Sequence, residues 1–110
     1  MAEAINEDLA KVGYNNLGLN VRKDLAVLRR TQMPAVLVEV GFINTDADNQ
    51  LLDNSFDETV RAIANGIFRT LTGSELPEAG TPMPIVTGSN VKDVVPETPA
   101  FACMYNVVCV

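Results

Sequence analysis

The stretch Met33-Pro34-Ala35-Val36-Leu37-Val38-Glu39-Val40-Gly41-Phe42-Ile43-Asn44 limits what this chain can fold into more than any other. Pro34 has no N–H for a sheet ladder, so it suits the first position of a strand. Ala35 to Val40 is apolar and rich in β-branched residues, interrupted only by Glu39. Such runs belong to strands covered on both faces, as in α/β proteins. Gly41 ends the run. Side chains alternate along a strand, so Ala35, Leu37 and Glu39 share one face. The single carboxylate therefore stands at the carboxyl end of a buried strand, where open α/β sheets place ligands and chemistry. A buried charge needs a cation, a hydrogen-bond network or a raised pKa. Glu39 is thus either a structural partner of Arg22, Arg29 or Arg30, or a functional group.

Helical periodicity supplies the layers around that strand. Met1, Ile5, Leu9 and Val12 fall on one helical face, with Gly13 as the stop and no capping residue before Met1. Tyr14 to Asn20 reads as a loop, and Leu25 to Leu28 as a short strand beside Ala35 to Val40. Thr45 is placed to cap a short helix ending near Leu52, with Asp48 as its capping-box partner. Asp46 and Asp48 suit the positive end of that helix, a simpler account of the pair than a metal site. Ser55 and Glu58 form a second capping box. They open a helix whose stripe is Phe56, Val60, Ile63, Ala64, Ile67, Phe68 and Leu71, closed by Gly73 and expected to cover the Glu39 strand. Arg29 and Arg30 have two readings: solvated surface charge, which is the norm, or contacts to Glu39 or to acidic substrate groups.

The fold expected is α/β, with buried strands packed by amphipathic helices. Residues 1–73 form the folded part, and 74–100, which hold Pro77, Pro82, Pro84, Pro96 and Pro99, form an extended linker. Residues 101–110 turn apolar and read as a disordered tail or the start of a second module. Cys103 and Cys109 on one strand would stand about 20 Å apart, too far for a disulfide unless the segment folds back.

Net charge is −6, which argues against nucleic acid as a partner. No apolar run reaches the roughly 18 residues of a membrane span, and the acidic start Met-Ala-Glu-Ala-Ile-Asn-Glu-Asp is no signal peptide. The sequence has no histidine, so Ser-His-Asp and Cys-His arrangements are excluded, and so is a zinc site built on imidazole.

Met33 to Leu52 resembles the closing motif of zinc-dependent N-acetylmuramoyl-L-alanine amidases, the cell-wall hydrolases. Their pattern is an apolar strand with Glu, then Gly-Phe, a small polar pair, an acidic helix start and Leu-Leu. Here it reads Pro34 to Ile43, Asn44-Thr45-Asp46 and Leu51-Leu52. Asp24 to Arg29 and the helix after Ser55 match as well, so the resemblance covers about Met1 to Gly73. Leu17 stands where the family often has Arg before the glycine, and Asn44 precedes Thr45 where Asn usually comes second.

The resemblance implies an enzyme that cuts the amide between the lactyl group of N-acetylmuramic acid and L-alanine. Zinc would be held by two His and a Glu on an amino-terminal half missing from this chain. The residue matching Glu39 would carry a proton from water to the leaving amine. On this reading the chain is the carboxyl-terminal half of a catalytic domain, inactive alone, with peptidoglycan as partner and the cell wall or exterior as its place. The alternative is a non-catalytic amidase-like module that binds cell-wall material or a protein. A strand deprived of its neighbours would also expose an apolar edge, favouring self-association or a covering contact from the 101–110 tail.

Overall fold

The fold is taken from a computed structural model that describes residues 1–81 and, as a strand, Ala102–Tyr105. The chain is mixed α/β. Its order is α1 (Ala2–Val12), β1 (Leu19–Asn20), α2 (Ala26–Arg29), β2 (Val36–Glu39), α3 (Asp46–Asn54), α4 (Phe56–Thr72) and β3 (Ala102–Tyr105).

Packing begins with α1 against α4. Ile5 and Leu9 are fully buried, and each stabilises the fold by about 1.5–3 kcal/mol through removal from water. They meet Ala62 in one cluster, onto which Val36, Val38 and Val40 also pack. The two helices touch backbone to backbone. A methyl group on Gly66 would lie 2.5 Å from the Ile5 Cα and 2.6 Å from its N. The seam is tied at its rim by Asp8, only 4% exposed, which accepts from Asn65 Nδ2 at 2.8 Å and from Lys11 Nζ at 2.6 Å. Arg69 donates to the Ala4 carbonyl at 3.1 Å and to Glu7 at 3.0 Å.

This geometry corrects the expected core stripe of α4. The buried positions are Thr59, Ala62, Gly66 and Phe68, while Phe56 and Val60 are 60% and 50% exposed. Close approach of two helices selects small side chains. Of the expected stripe, Phe68 is buried and Ile63 packs on the core, while Phe56, Val60 and Ile67 lie on an exposed face.

Both capping boxes fail to form. Neither Thr45 nor Ser55 makes a side-chain cap bond. Ser55 is at once the last cap of α3 and the first of α4, with φ −130° and ψ 36°, away from the extended backbone from which an N-cap side chain reaches its own helix. Its carbonyl takes the load, accepting from Thr59 N at 2.9 Å and Thr59 Oγ1 at 2.7 Å. The helix stops behave as expected: Gly13 and Gly73 have φ 124° and 72°, values that favour glycine.

Thr59 Oγ1 also lies 3.0 Å from the Tyr14 hydroxyl. Since Thr59 donates to Ser55, Tyr14 is the donor to Thr59. Tyr14→Phe removes this one bond and leaves Thr59 satisfied, so unfolding stability should fall by about 1 kcal/mol. A urea midpoint that drops at unchanged slope would show it.

The sheet has the order β1-β3-β2. β3 runs parallel to β2, with Val36 opposite Ala102 and Glu39 opposite Tyr105. It runs antiparallel to β1, with Leu19 opposite Met104. Two expectations are corrected here. The segment Leu25 to Leu28 is no strand: Arg29 N donates to the Leu25 carbonyl at 2.9 Å and Leu28 is buried in a helical turn. A short apolar run does not distinguish helix from strand. The place beside β2 belongs to Ala102–Tyr105: this part of the tail forms a strand where disorder was expected, and it supplies the covering contact expected for the apolar edge of β2.

The stretch after Gly73 does not leave the body at once. Leu76 N donates to Asn65 Oδ1 at 2.6 Å, and Arg61 donates to the Pro77 carbonyl at 2.6 Å. The rest of the expected linker, residues 82–100, lies outside the described residues, as do Cys109 and the side chain of Cys103.

Candidate active site

β2 fixes the site by alternation. Val36, Val38 and Val40 face the α1–α4 core, so Leu37 and Glu39 point from the opposite face. The strand is half-buried at each position, less enclosed than its composition suggests. Glu39 Oε2 is buried, and it has no hydrogen-bond partner among the described residues. A buried carboxylate oxygen without a donor is destabilising by roughly 1–3 kcal/mol or more. Such a group in a native structure calls for an explanation, a catalytic role or a bound water or ion among them.

The three cations weighed as partners of Glu39 are placed elsewhere. Arg22 grips Asp24 with two bonds, Nε to Oδ1 at 2.8 Å and a terminal nitrogen to Oδ2 at 2.6 Å. Arg29 and Arg30 are exposed, and no ion pair joins either to Glu39 among the described residues. Among the described residues, none of the three cations suggested by the sequence meets Glu39.

The Arg22 hydrogen bonds hold the Asp24 carboxyl down at about 2, against an ordinary value of 3.8. A depressed folded pKa stabilises the fold above the unfolded value, and that contribution is lost as pH falls from about 3.8 through about 2. Arg22→Gln should return Asp24 to the ordinary carboxylate range. A carboxyl-carbon NMR titration reads this directly, and an unmoved midpoint would mean the pair does not persist in solution.

Past β2 the chain turns through Gly41 and Phe42 into α3. Phe42 N donates to Asp48 Oδ2 at 2.9 Å, and Asn49 Nδ2 donates to the Ile43 carbonyl at 2.9 Å. Asp48 was expected to serve the start of its own helix; it instead latches that helix to the strand end. Gly41 permits this, since a methyl group there would lie 3.1 Å from the Asp48 Cβ. The facing loop is pinned by Asn6, 3% exposed, which donates to Asn16 Oδ1 and to the Gly18 carbonyl. Sequence reasoning missed Asn6. Its signal was a polar residue beside Ile5, next to the apolar face of α1. Between this loop and the strand end lies an open cleft of about 100 Å³, with Tyr14, Leu17, Val40, Phe42, Asp48 and Leu51 among its walls.

A zinc ligand set does not fit this chain's described residues. The sequence has no histidine, and no group of three or more His, Cys, Asp or Glu among the described residues could hold a metal ion. Nor is any helix among them long and apolar enough to cross a membrane.

A family model described as N-acetylmuramoyl-L-alanine amidase matches residues 1–69, which carry α1, β2 with Glu39, and α4 as far as Arg69. Among curated proteins, the N-acetylmuramoyl-L-alanine amidase AmiC of Neisseria meningitidis serogroup B is 31% identical over 78 residues, covering 69% of this chain and 19% of that protein. The chain thus spans about a fifth of the length of the curated relative it matches. No solved structure matches it.

Proposed function

Since this chain belongs to the N-acetylmuramoyl-L-alanine amidase family, we propose that it supplies the proton-carrying carboxylate of a cell-wall amide hydrolase, and that Glu39 is that residue. The observation that carries the reading is the buried Glu39 Oε2 at the end of β2, without a partner among the described residues. A proton shuttle needs a lone pair left free for water and a place within reach of the reacting groups.

The reaction cleaves the bond between the lactyl carbonyl carbon and the L-alanine nitrogen. Glu39 takes one proton from the attacking water as its oxygen bonds to that carbon. It then delivers the proton to the departing nitrogen. The products are a lactyl carboxylate and a stem peptide with a free amino terminus, and Glu39 returns to its starting state. Any zinc ligands would come from outside the described residues, in a longer protein acting on peptidoglycan beyond the cytoplasmic membrane. Arg29 and Arg30, both exposed, are proposed as contacts for acidic substrate groups rather than for Glu39.

The test is segment exchange. Residues 1–69 of this chain replace the matching segment of the Neisseria amidase, and peptidoglycan digests are analysed by mass spectrometry. Release of stem peptides with free amino-terminal L-alanine is expected. A chimera that unfolds cooperatively and binds peptidoglycan but releases nothing would favour the non-catalytic module instead.

A further inference from the structure

The cleft beside Tyr14 lies on the other side of β2 from Glu39. Val40 lines it, and Val40 belongs to the face packed on the helices, whereas Glu39 alternates to the opposite face and is absent from the walls. It is therefore a separate feature from the proposed proton shuttle.

Three properties define what it can take. Its volume of about 100 Å³ is well below the roughly 300–1,000 Å³ of sites that bury a whole small-molecule ligand. One amino-acid side chain is the right size. Its walls include Leu17, Val40, Phe42 and Leu51, which suit an alkyl stem. Its one charged wall residue is Asp48, with no Lys or Arg among the lining side chains. Asp48 Oδ2 is engaged by Phe42 N, and Oδ1 has no partner among the described residues. The turn that carries Asp48 is held by the bonds from Phe42 N and from Asn49.

From this combination we infer that the cleft is a docking pocket for one lysine side chain of a peptide, its alkyl stem against Leu17 and Phe42 and its ammonium on Asp48 Oδ1. Charge complementarity selects this occupant. A carboxylate-tipped chain would be repelled by Asp48, and a fully apolar one would leave Oδ1 covered and unpaired. The net charge of −6 adds long-range attraction for a cationic peptide.

The experiment uses the whole 110-residue chain and three probes: Nα-acetyl-lysine methylamide, its norleucine counterpart lacking the ammonium, and its glutamate counterpart. Amide NMR shifts of Phe42, Asp48 and Asn15 are followed during titration. The lysine probe should shift these amides saturably with a dissociation constant in about the millimolar range, as befits a single side chain. The other two should bind at least about tenfold more weakly, the loss expected for one charge-assisted hydrogen bond. Asp48→Asn can still accept from Phe42 N, so the turn is kept while the charge is lost, and it should weaken the lysine probe by about tenfold. Equal shifts with norleucine, no shifts at these amides, or undiminished binding to the Asn variant would each overturn the proposal. The first two outcomes are read on the native chain, so they decide the matter even if the variant misfolds. None depends on amide hydrolysis, so failure here leaves the role of Glu39 untouched.

Discussion

Glu39→Gln in the amidase chimera is expected to lower stem-peptide release by about 10²–10⁴-fold, the usual contribution of a positioned general acid–base group. The substitution keeps the size of the side chain and removes only its ability to take a proton. Two further readouts separate a proton carrier from a structural residue. First, folding stability should be unchanged or slightly higher, because Glu39 Oε2 makes no hydrogen bond among the described residues that Gln could lose. Second, KM should hold while kcat falls, since substrate binding does not use the transferred proton. A variant that loses stability and activity together would return Glu39 to the structural reading.

Gly66→Ala is expected to destabilise the chain by about 2 kcal/mol, opposite in sign to the usual result. In a helix interior, Ala is favoured over Gly by about 1 kcal/mol. Here the new methyl group would stand 2.5 Å from the Ile5 Cα and 2.6 Å from the Ile5 nitrogen, and these are backbone atoms with no rotamer to yield. Overpacking of a tight core costs about 1–3 kcal/mol and occasionally more, and separating the helices would also open the contacts of the fully buried Ile5 and Leu9. The steric term wins. Gly66→Val should go further and prevent cooperative folding. Thermal unfolding followed by circular dichroism measures both. A melting temperature raised by the Ala variant would mean the helices are not in contact at this point.

The parts of the fold that the sequence made legible are those fixed by local rules. The periodicity of Ile5 and Leu9, the glycine stops at Gly13 and Gly73, and the apolar run around Val38 each depend on neighbours a few residues away. What escaped depends on distant ones. That Gly66 rather than Ile67 faces the core is decided by how closely α1 approaches. That Ala102–Tyr105 rather than Leu25 to Leu28 stands beside β2 is decided by a segment at the far end of the chain. The candidate site divides the same way. Glu39 stood out as a lone charge in an apolar strand. That Oε2 makes no hydrogen bond among the described residues did not, because only the folded arrangement turns Arg22 toward Asp24. The second use of Asp48, as a latch for the Phe42 amide, was hidden behind the simpler role its helix-start position suggested.

The central position of β3 bears on the order in which the molecule is assembled. β1 and β2 do not pair with each other; both pair with a strand that comes after α4. Synthesised from the amino terminus, the chain can zip α1 onto α4 as soon as residue 72 is available, but its sheet must wait for Ala102–Tyr105. Until then the inner edges of β1 and β2 form an open slot, and closure must join segments far apart in sequence, which is slow although its entropy cost grows only with the logarithm of their separation. Nascent chains of this protein should therefore pass through a helical, sheet-free interval in which that slot accepts a strand from any neighbour, and crowded polysomes rather than finished molecules are where strand exchange would begin.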